Sequence, residues 1–216
     1  RNRRQLEVGY GFLLRTRNEL HLQTKRLTDN IPKALQPKIA WQLGYKDRSP
    51  ARRLETFMRD LYIHMRGIHL ITRMVERRLA LRPKPARRLP SLRSIFGGGK
   101  KTETLDGFNI IDGELVPISH RIFRDQPRRL MRVFLHAQQR GLEFHPDLTQ
   151  LLRDNVSLVD DDFVHDTENH ETFLEILNQR GNVAPALRAM HEVDLLGRYI
   201  PEFGRMTCLV QHEFFH

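Results

Sequence analysis

The hydrophobic positions recur at helical spacing along most of the chain. The clearest run follows Ser49 and Pro50, an N-cap residue and a proline at the first helical position. From Leu54 to Leu79, apolar residues then return every three or four positions, which is the period of an α-helix that buries one face. The pattern predicts one long helix over residues 50–79, packed against partner helices.

Two shorter helical patterns precede this long helix. Leu13, Leu20 and Leu27 are spaced by two helical turns and predict one face of a leading helix. A second, short helix is predicted over residues 39–43, and Gly44 stands where a helix C-terminus favours glycine. The first part of the chain is therefore predicted to be entirely helical.

A single β signal stands out in the second part of the chain. Asp112 and Gly113 separate two short apolar runs, and this dipeptide favours the type I′ turn of a hairpin. Helical patterns follow, the first of them between Pro127 and Gly141. The others cover residues 146–153, 169–179 and 183–191, and run from Met206 onward. The predicted fold class is mainly α: a helical bundle with one short β-hairpin near residues 108–118.

The charge of the chain is concentrated in one tract. The formal net charge is +10, and the segment from Arg82 to Lys101 holds basic residues, prolines and glycines but no acidic residue. Such a composition is typical of a linker, so we predict a helical region over residues 1–82, a basic linker over 83–104 and a helical region with the hairpin over 105–216. A non-enzymatic module that binds nucleic acid through 82–101 is the alternative, but no aromatic stacking platform accompanies the tract.

The ends of the chain and its cysteine content indicate whether it is part of a larger protein and in which compartment we expect it. It opens on Arg1 without an initiator methionine and stops on His216, directly after the aromatic pair Phe214 and Phe215, so we expect an internal segment of a larger protein. The single Cys208 excludes an internal disulfide. No apolar run reaches the ~20 residues of a membrane span, and no signal peptide is visible. We therefore expect a cytoplasmic protein with no membrane partner.

Candidate chemistry in the residues themselves is sparse. His212, Glu213 and His216 form the H-E-x-x-H pattern, in which two histidines on one helix face ligate zinc. A zinc protease through residues 212–216 is a remote alternative, because a third protein ligand is needed and the pattern lies at the end of the chain. The run Asp160–Asp162 is interpreted as a solvated turn before a helix. No catalytic residue and no metal ligand set are assigned.

Several phrases of the sequence, in order, resemble one enzyme family. They are RNELH at 17–21, IAWQLGY at 39–45, FMRDLY at 57–62, the hairpin region from Phe108, LRAM at 187–190, LGRYIPEFGR at 196–205 and VQHEFFH at 210–216. Together they are similar to the bacterial PII uridylyltransferase/uridylyl-removing family. The resemblance spans essentially the whole chain.

The resemblance implies an enzyme that transfers UMP to a regulatory protein and removes it hydrolytically in nitrogen signalling. Its nucleotidyltransferase core, with Mg²⁺ and UTP, would precede residue 1, and an HD-type hydrolase domain would follow the chain. Residues 1–82 would be the helical region after the core, and 105–216 the connector into the hydrolase. The chain is therefore not expected to be catalytic alone and carries no cofactor of its own.

The resemblance also implies a PII-like protein and the flanking domains of the same polypeptide as partners. A divergent paralogue with another target remains open, because the basic linker is not a family feature. Our candidates for facing the substrate cleft are Arg17, His21, Arg59 and Arg66, since arginines on helices suit phosphate or acidic partners. A surface ion pair is the alternative role for each of them.

Overall fold

The computed structural model describes residues 2–80 and 103–209, which divide into two compact units, one of residues 2–79 and 206–209 and one of residues 80 and 103–205. Most of the predicted linker and the whole nucleic-acid tract 82–101 lie outside the described residues, as does the H-E-x-x-H pattern at 212–216. The end of the predicted linker, Glu103 and Thr104, belongs to the first strand of the second unit.

The first unit consists of three α-helices. They are α1 (Asn2–Thr24), α2 (Gln36–Gln42), which follows a 3₁₀ turn at Lys33–Leu35, and α3 (Pro50–Ala80). The predicted long helix is confirmed, and its start is capped because the Ser49 hydroxyl accepts the backbone N–H of Arg52 at 3.4 Å.

The prediction that Leu27 extends the leading helix is wrong. Helix α1 ends at Thr24, whose hydroxyl accepts the N–H of Arg26 at 3.3 Å. Lys25 then takes a left-handed conformation with φ 54°, which a continuing helix does not allow. Leu27 lies beyond this reversal and is 90% exposed.

The core of the first unit is a small cluster at the middle of its helices. Phe57 of α3 is fully buried, with its ring 6.5 Å from that of Phe12 on α1 and 5.5 Å from that of Tyr45 after α2. The other buried members are Leu20, Ile39, Ala40, Met58 and Leu61. Burial of these apolar side chains is what holds the three helices together.

The second unit opens with a small four-stranded sheet in the order β1-β2-β3-β4. The strands are β1 (Glu103–Leu105), β2 (Phe108–Ile111), β3 (Glu114–Pro117) and β4 (Glu143–Phe144). The first three are antiparallel neighbours, and β4 pairs with β3 in parallel.

The predicted hairpin is confirmed, and the sheet extends beyond it on both sides. At its turn, Asp112 and Gly113 have φ of 50° and 83°, as a type I′ turn requires. A second Asp-Gly turn with the same geometry, Asp106 and Gly107 at φ 50° and 86°, joins β1 to β2. The prediction of a single hairpin was therefore incomplete, because Asp106-Gly107 was not recognised as a second turn.

Eight helices complete the second unit. They are α4 (Ile122–Asp125), α5 (Arg129–Arg140), α6 (Pro146–Asn155), α7 (Asp161–His165), α8 (Thr167–Asn178), α9 (Val183–Glu192), α10 (Leu195–Tyr199) and α11 (Pro201–Met206). The predicted mainly α fold class is thus confirmed. A helix from Met206 onward is wrong for the described part, because α11 ends there and Cys208 has φ 60°. Neither described range contains a helix long and apolar enough to cross a membrane.

Helix α5 is the centre of the second unit. Leu130, Met131, Val133 and Phe134 are buried to 1% exposure or less. The buried Gln138 of the same helix donates its side-chain N–H groups to the carbonyls of Ile176 and Asn182, both at 3.0 Å, and so ties α5 to the α8–α9 segment. One face of α5 is therefore core, which leaves its polar face to arrange charged groups.

Candidate functional site

Each unit contains a pocket. In the first unit a cavity of about 270 Å³ is lined by Phe12, Arg15, Leu43, Gly44, Tyr45, Asp60 and His64. The hydroxyl of Tyr45 donates to Asp60 Oδ2 at 2.7 Å. Burial, and then this hydrogen bond to a carboxylate, raise the pKa of Tyr45 well above its ordinary value. The Tyr45 phenol is therefore a neutral donor, held in place by Asp60.

The four residues predicted to face a substrate cleft do not line this pocket. Arg17 and His21 lie one turn apart on α1 and support the chain reversal after it: Arg17 Nε is 2.9 Å from Asp29 Oδ1, and His21 Nε2 is 2.9 Å from the Thr28 carbonyl oxygen. Arg59 is exposed and Arg66 half-buried, both on α3. Their role toward a substrate stays a prediction.

The polar face of α5 forms a charged cluster around the first Asp-Gly turn. Asp106 Oδ1 accepts hydrogen bonds from Arg129 Nε and Arg132 Nη2, both at 3.0 Å, and His136 Nε2 lies 3.3 Å from Asp106 Oδ2. The Asp106 side chain is only 18% exposed. One largely buried carboxylate therefore fixes the β1–β2 turn to three consecutive turns of α5.

A second ion-pair group joins the start of α5 to the start of α8. Arg128 donates from Nη2 and Nε to Asp166 Oδ2 at 2.6 and 3.1 Å, and its Nη1 lies 2.5 Å from Glu168 Oε1. Asp166 also caps α8 by accepting the backbone N–H of Asn169 at 3.0 Å. These contacts, chiefly the hydrogen bond from Arg128, lower the pKa of Asp166 below its ordinary value of 3.8.

The larger cavity of the second unit lies beside this ion-pair group. Its volume is about 630 Å³, and its walls come from the α4–α5 junction, the segment around α7 and the start of α8. The lining residues are Asp125, Gln126, Pro127, Arg128, Arg132, Leu158, Asp160, Asp162, Phe163, Asp166 and Asn169. The interpretation of Asp160–Asp162 as a turn before a helix holds for Asp160, which caps α7 by accepting the N–H of Phe163 at 3.0 Å. It is wrong for Asp161 and Asp162, which are the first two residues of the helix.

Asp106, Arg128 and Asp166 were not identified from the sequence. The Asp106-Gly107 dipeptide was a readable turn signal, and Asp166 followed by a helical pattern was a readable N-cap. The arginines that contact them gave no local signal, because the partners are far apart in the sequence. Within residues 2–80 and 103–209, no group of three His, Cys, Asp or Glu residues is placed to hold a metal ion.

Comparison with known families gives two ordered matches. Residues 1–76 match the model described as GlnD PII-uridylyltransferase, and residues 108–199 match the model described as Uridylyltransferase GlnD third domain. Together these matches cover more than half of the chain, and each lies within one of the two units.

Similar curated proteins are named bifunctional uridylyltransferase/uridylyl-removing enzyme. The proteins from Cereibacter sphaeroides and Azospirillum brasilense are each 31% identical, over 97% and 95% of this chain. The protein from Ruegeria pomeroyi is 32% identical over 95% of it. The chain spans about 22% of the length of each of these relatives.

No solved structure matches the chain. The family matches and the relatives agree with the resemblance in the sequence blocks, and the chain belongs to the GlnD family of uridylyltransferase/uridylyl-removing enzymes.

Proposed function

We propose that this chain is the helical central segment of an enzyme that transfers UMP to a PII-like regulatory protein and removes it by hydrolysis. The observation that carries the proposal is the ordered similarity to bifunctional uridylyltransferase/uridylyl-removing enzymes along 95–97% of the chain. Because the chain spans about 22% of those proteins, the segment would position catalytic domains that lie outside it.

The two units support such a scaffolding role in different ways. The first offers the long helix α3, 31 residues in length, which suits a structural strut beside a nucleotidyltransferase core. The second is a separately packed body with its own apolar core. In this proposal Mg²⁺ and UTP bind the flanking nucleotidyltransferase domain, and the enzyme acts in the cytoplasm, where UTP is present.

Arg59 is the strongest of the four cleft candidates within this proposal. Arg17 and His21 have their side chains engaged with Asp29 and Thr28, so a structural role accounts for their contacts. Arg59 presents an exposed guanidinium on the surface of α3. An acidic or phosphate-bearing surface of a target protein is the partner that such a group recognises.

The test is uridylylation by the longer protein that contains this chain. With Mg²⁺, labelled UTP and a PII protein, it should label PII, and Arg59→Ala should raise the KM for PII with little change in kcat. Lys38→Ala, which removes an exposed cation from α2, is the control and should leave both constants unchanged. Absence of labelling with correctly folded protein would contradict the proposed function.

A further inference from the structure

The pocket of the first unit is built by two helices and the turn after a third. Phe12 and Arg15 lie one turn apart on α1, Asp60 and His64 lie one turn apart on α3, and residues 43–45 complete the lining. Its volume of about 270 Å³ is just below the ~300–1,000 Å³ of sites for drug-sized ligands. The pocket therefore suits a single ring and not a whole nucleotide.

Three polar side chains of the lining keep hydrogen-bonding capacity for a ligand. The Asp60 carboxylate accepts the hydroxyl of Tyr45 at 2.7 Å and, within residues 2–80 and 103–209, has no other hydrogen bond or ion pair. In the same ranges the exposed Arg15 guanidinium has no ion pair, and the half-buried His64 has no hydrogen bond. Asp60 offers an acceptor, whereas Arg15 and a neutral His64 each offer a donor.

This set of groups favours a neutral ring with both donors and acceptors. A phosphate in so small a pocket would lie beside the Asp60 carboxylate, and like charges repel. A ring edge with one N–H and two carbonyl groups would use the acceptor and both donors. Phe12, whose ring lies 4.6 Å from that of His64, and Leu43 add apolar surface for the faces of a planar ring. Uracil has such an edge, with N3–H between O2 and O4.

We propose that this pocket receives the uracil ring of a nucleotide, with N3–H donating to Asp60 and the two carbonyls accepting from Arg15 and His64. The inference rests on the proposed function and adds base recognition to it, while the phosphates and Mg²⁺ stay with the flanking domain. The first unit is the one that matches the PII-uridylyltransferase model. Tyr45 acts as a positioning residue that holds Asp60. Cytosine is disfavoured, because its N3 turns a lone pair toward the carboxylate.

The test is calorimetric titration of the longer protein that contains this chain with UTP and with CTP, in the presence of Mg²⁺ and without PII protein. UTP should bind at least ~tenfold more tightly than CTP, as expected for one hydrogen bond to a charged group. The analogue 3-methyl-UTP, which lacks N3–H, should bind as weakly as CTP. Equal affinities for UTP and CTP, or no binding of UTP, would overturn the proposal.

Because no PII protein enters the titration, failure of this proposal and failure of the proposed function are distinguishable. Labelling of PII without a preference for UTP in binding would contradict the uracil pocket alone. Selective binding of UTP that Asp60→Asn abolishes, without labelling of PII, would contradict the proposed function alone.

Two aspartates of the first unit provide a matched pair of variants. Asp60→Asn should lower the preference for UTP over CTP by roughly tenfold, because the carboxylate that accepts N3–H is lost. Asp47→Asn removes an exposed carboxylate outside the pocket and should leave the preference unchanged. An unchanged preference in folded Asp60→Asn would place base recognition elsewhere and overturn the proposal.

Tyr45→Phe separates base recognition from a purely structural role of Asp60. It removes the hydrogen bond to Asp60 but keeps the carboxylate, so the preference for UTP should fall less than in Asp60→Asn. If Asp60 only anchors Tyr45, both variants would weaken UTP and CTP equally, which contradicts the proposal.

Circular dichroism checks that these variants are folded, and Arg15→Gln, at an exposed position, supplies a substitution that spares the core. It should weaken UTP binding by roughly two- to tenfold, as expected for the loss of one hydrogen bond to a carbonyl. Unchanged UTP affinity in Arg15→Gln would also overturn the proposal.

Discussion

The two units bury their apolar side chains with different arrangements of helices and strands. The first relies on two long helices, α1 with 23 residues and α3 with 31, and its main buried apolar cluster has seven members. The second uses helices of at most 12 residues and a small sheet around a cluster of twenty. Isolated helices shorter than ~12–15 residues are marginal in water, so the second unit depends on tertiary packing, whereas the first gains more from helix length.

Removal of one central aromatic ring from each core should distinguish the units most strongly. Phe57→Ala and Phe134→Ala each delete a ring that is at most 1% exposed, and each should cost about 3–5 kcal/mol. The same loss is a larger fraction of the stability of the first unit, whose cluster is smaller. Hydrogen exchange resolved by peptide should show protection lost across residues 2–79 in Phe57→Ala. In Phe134→Ala protection should fall in residues 103–205 without disappearing.

These effects should be confined to the unit that carries the substitution. Loss of protection throughout both units in either variant would contradict the division into two separately packed bodies. Exposed Tyr62→Ala on α3, at 43% exposure, is the control and should change the unfolding free energy by much less.

Asp106→Asn tests whether the charged cluster on α5 stabilises the second unit. Asparagine tolerates the left-handed φ of 50° at this position, so the substitution removes the charge without straining the turn. Asparagine keeps one oxygen that accepts from Arg129 and Arg132, but it replaces the charged Oδ2 beside Arg132 Nε with an N–H donor, which should cost about 1.5–3 kcal/mol. Urea denaturation gives the value, and Asp112→Asn at the equivalent place of the other turn should cost less. Equal losses of unfolding free energy in the two variants would mean that the charged cluster on α5 does not stabilise the second unit.

Two glycine-to-alanine substitutions, one in each unit, should change the free energy of unfolding in opposite directions. A Cβ on Gly204 of α11 would lie 2.5 Å from the Gly197 carbonyl oxygen, so Gly204→Ala should destabilise the second unit by about 1–3 kcal/mol. A Cβ on Gly11 of α1 meets nothing within 4 Å, so Gly11→Ala should stabilise the first by about 0.5–1 kcal/mol. Thermal unfolding measures both effects. An unchanged unfolding temperature in Gly204→Ala would contradict the close approach of α10 and α11.

The ion pair between Arg128 and Asp166 should make the stability of the second unit depend on pH. The pKa of Asp166 is lowered in the folded state from 3.8, first by its hydrogen bond from Arg128. A lowered folded pKa contributes stability at pH values above the unfolded pKa, and this stability is lost as the pH falls through the folded pKa. The stability difference between the native chain and Asp166→Asn should therefore be constant above about pH 5 and shrink below 3.8. A difference that grows on acidification would contradict this origin.

Much of the fold was predictable because local signals and tertiary structure agree. Ser49 and Pro50 mark the start of α3, Gly141 ends α5 with φ 63°, and Asp112-Gly113 forms the predicted turn between β2 and β3. Where a local conformational change intervened, periodicity alone was insufficient. Leu27 keeps the helical spacing, yet Lys25 reverses the chain before it. The turn at Cys208 ended the last helical pattern in the same way.

The sites were less predictable than the fold. Arg17 and His21 were chosen for their residue types, but nothing local indicated that Asp29 and Thr28 would engage them. The contacts of Asp106 with Arg129 and of Arg128 with Asp166 join residues 23 and 38 positions apart.

We propose that this chain positions catalytic domains outside it and does not itself catalyse either reaction. The most direct measurement incubates the purified 216-residue chain with a PII protein, Mg²⁺ and labelled UTP, and separately with uridylylated PII protein. We predict no labelled protein in the first reaction and no released UMP in the second, while the longer protein performs both. Turnover of either reaction by the chain alone would contradict the claim.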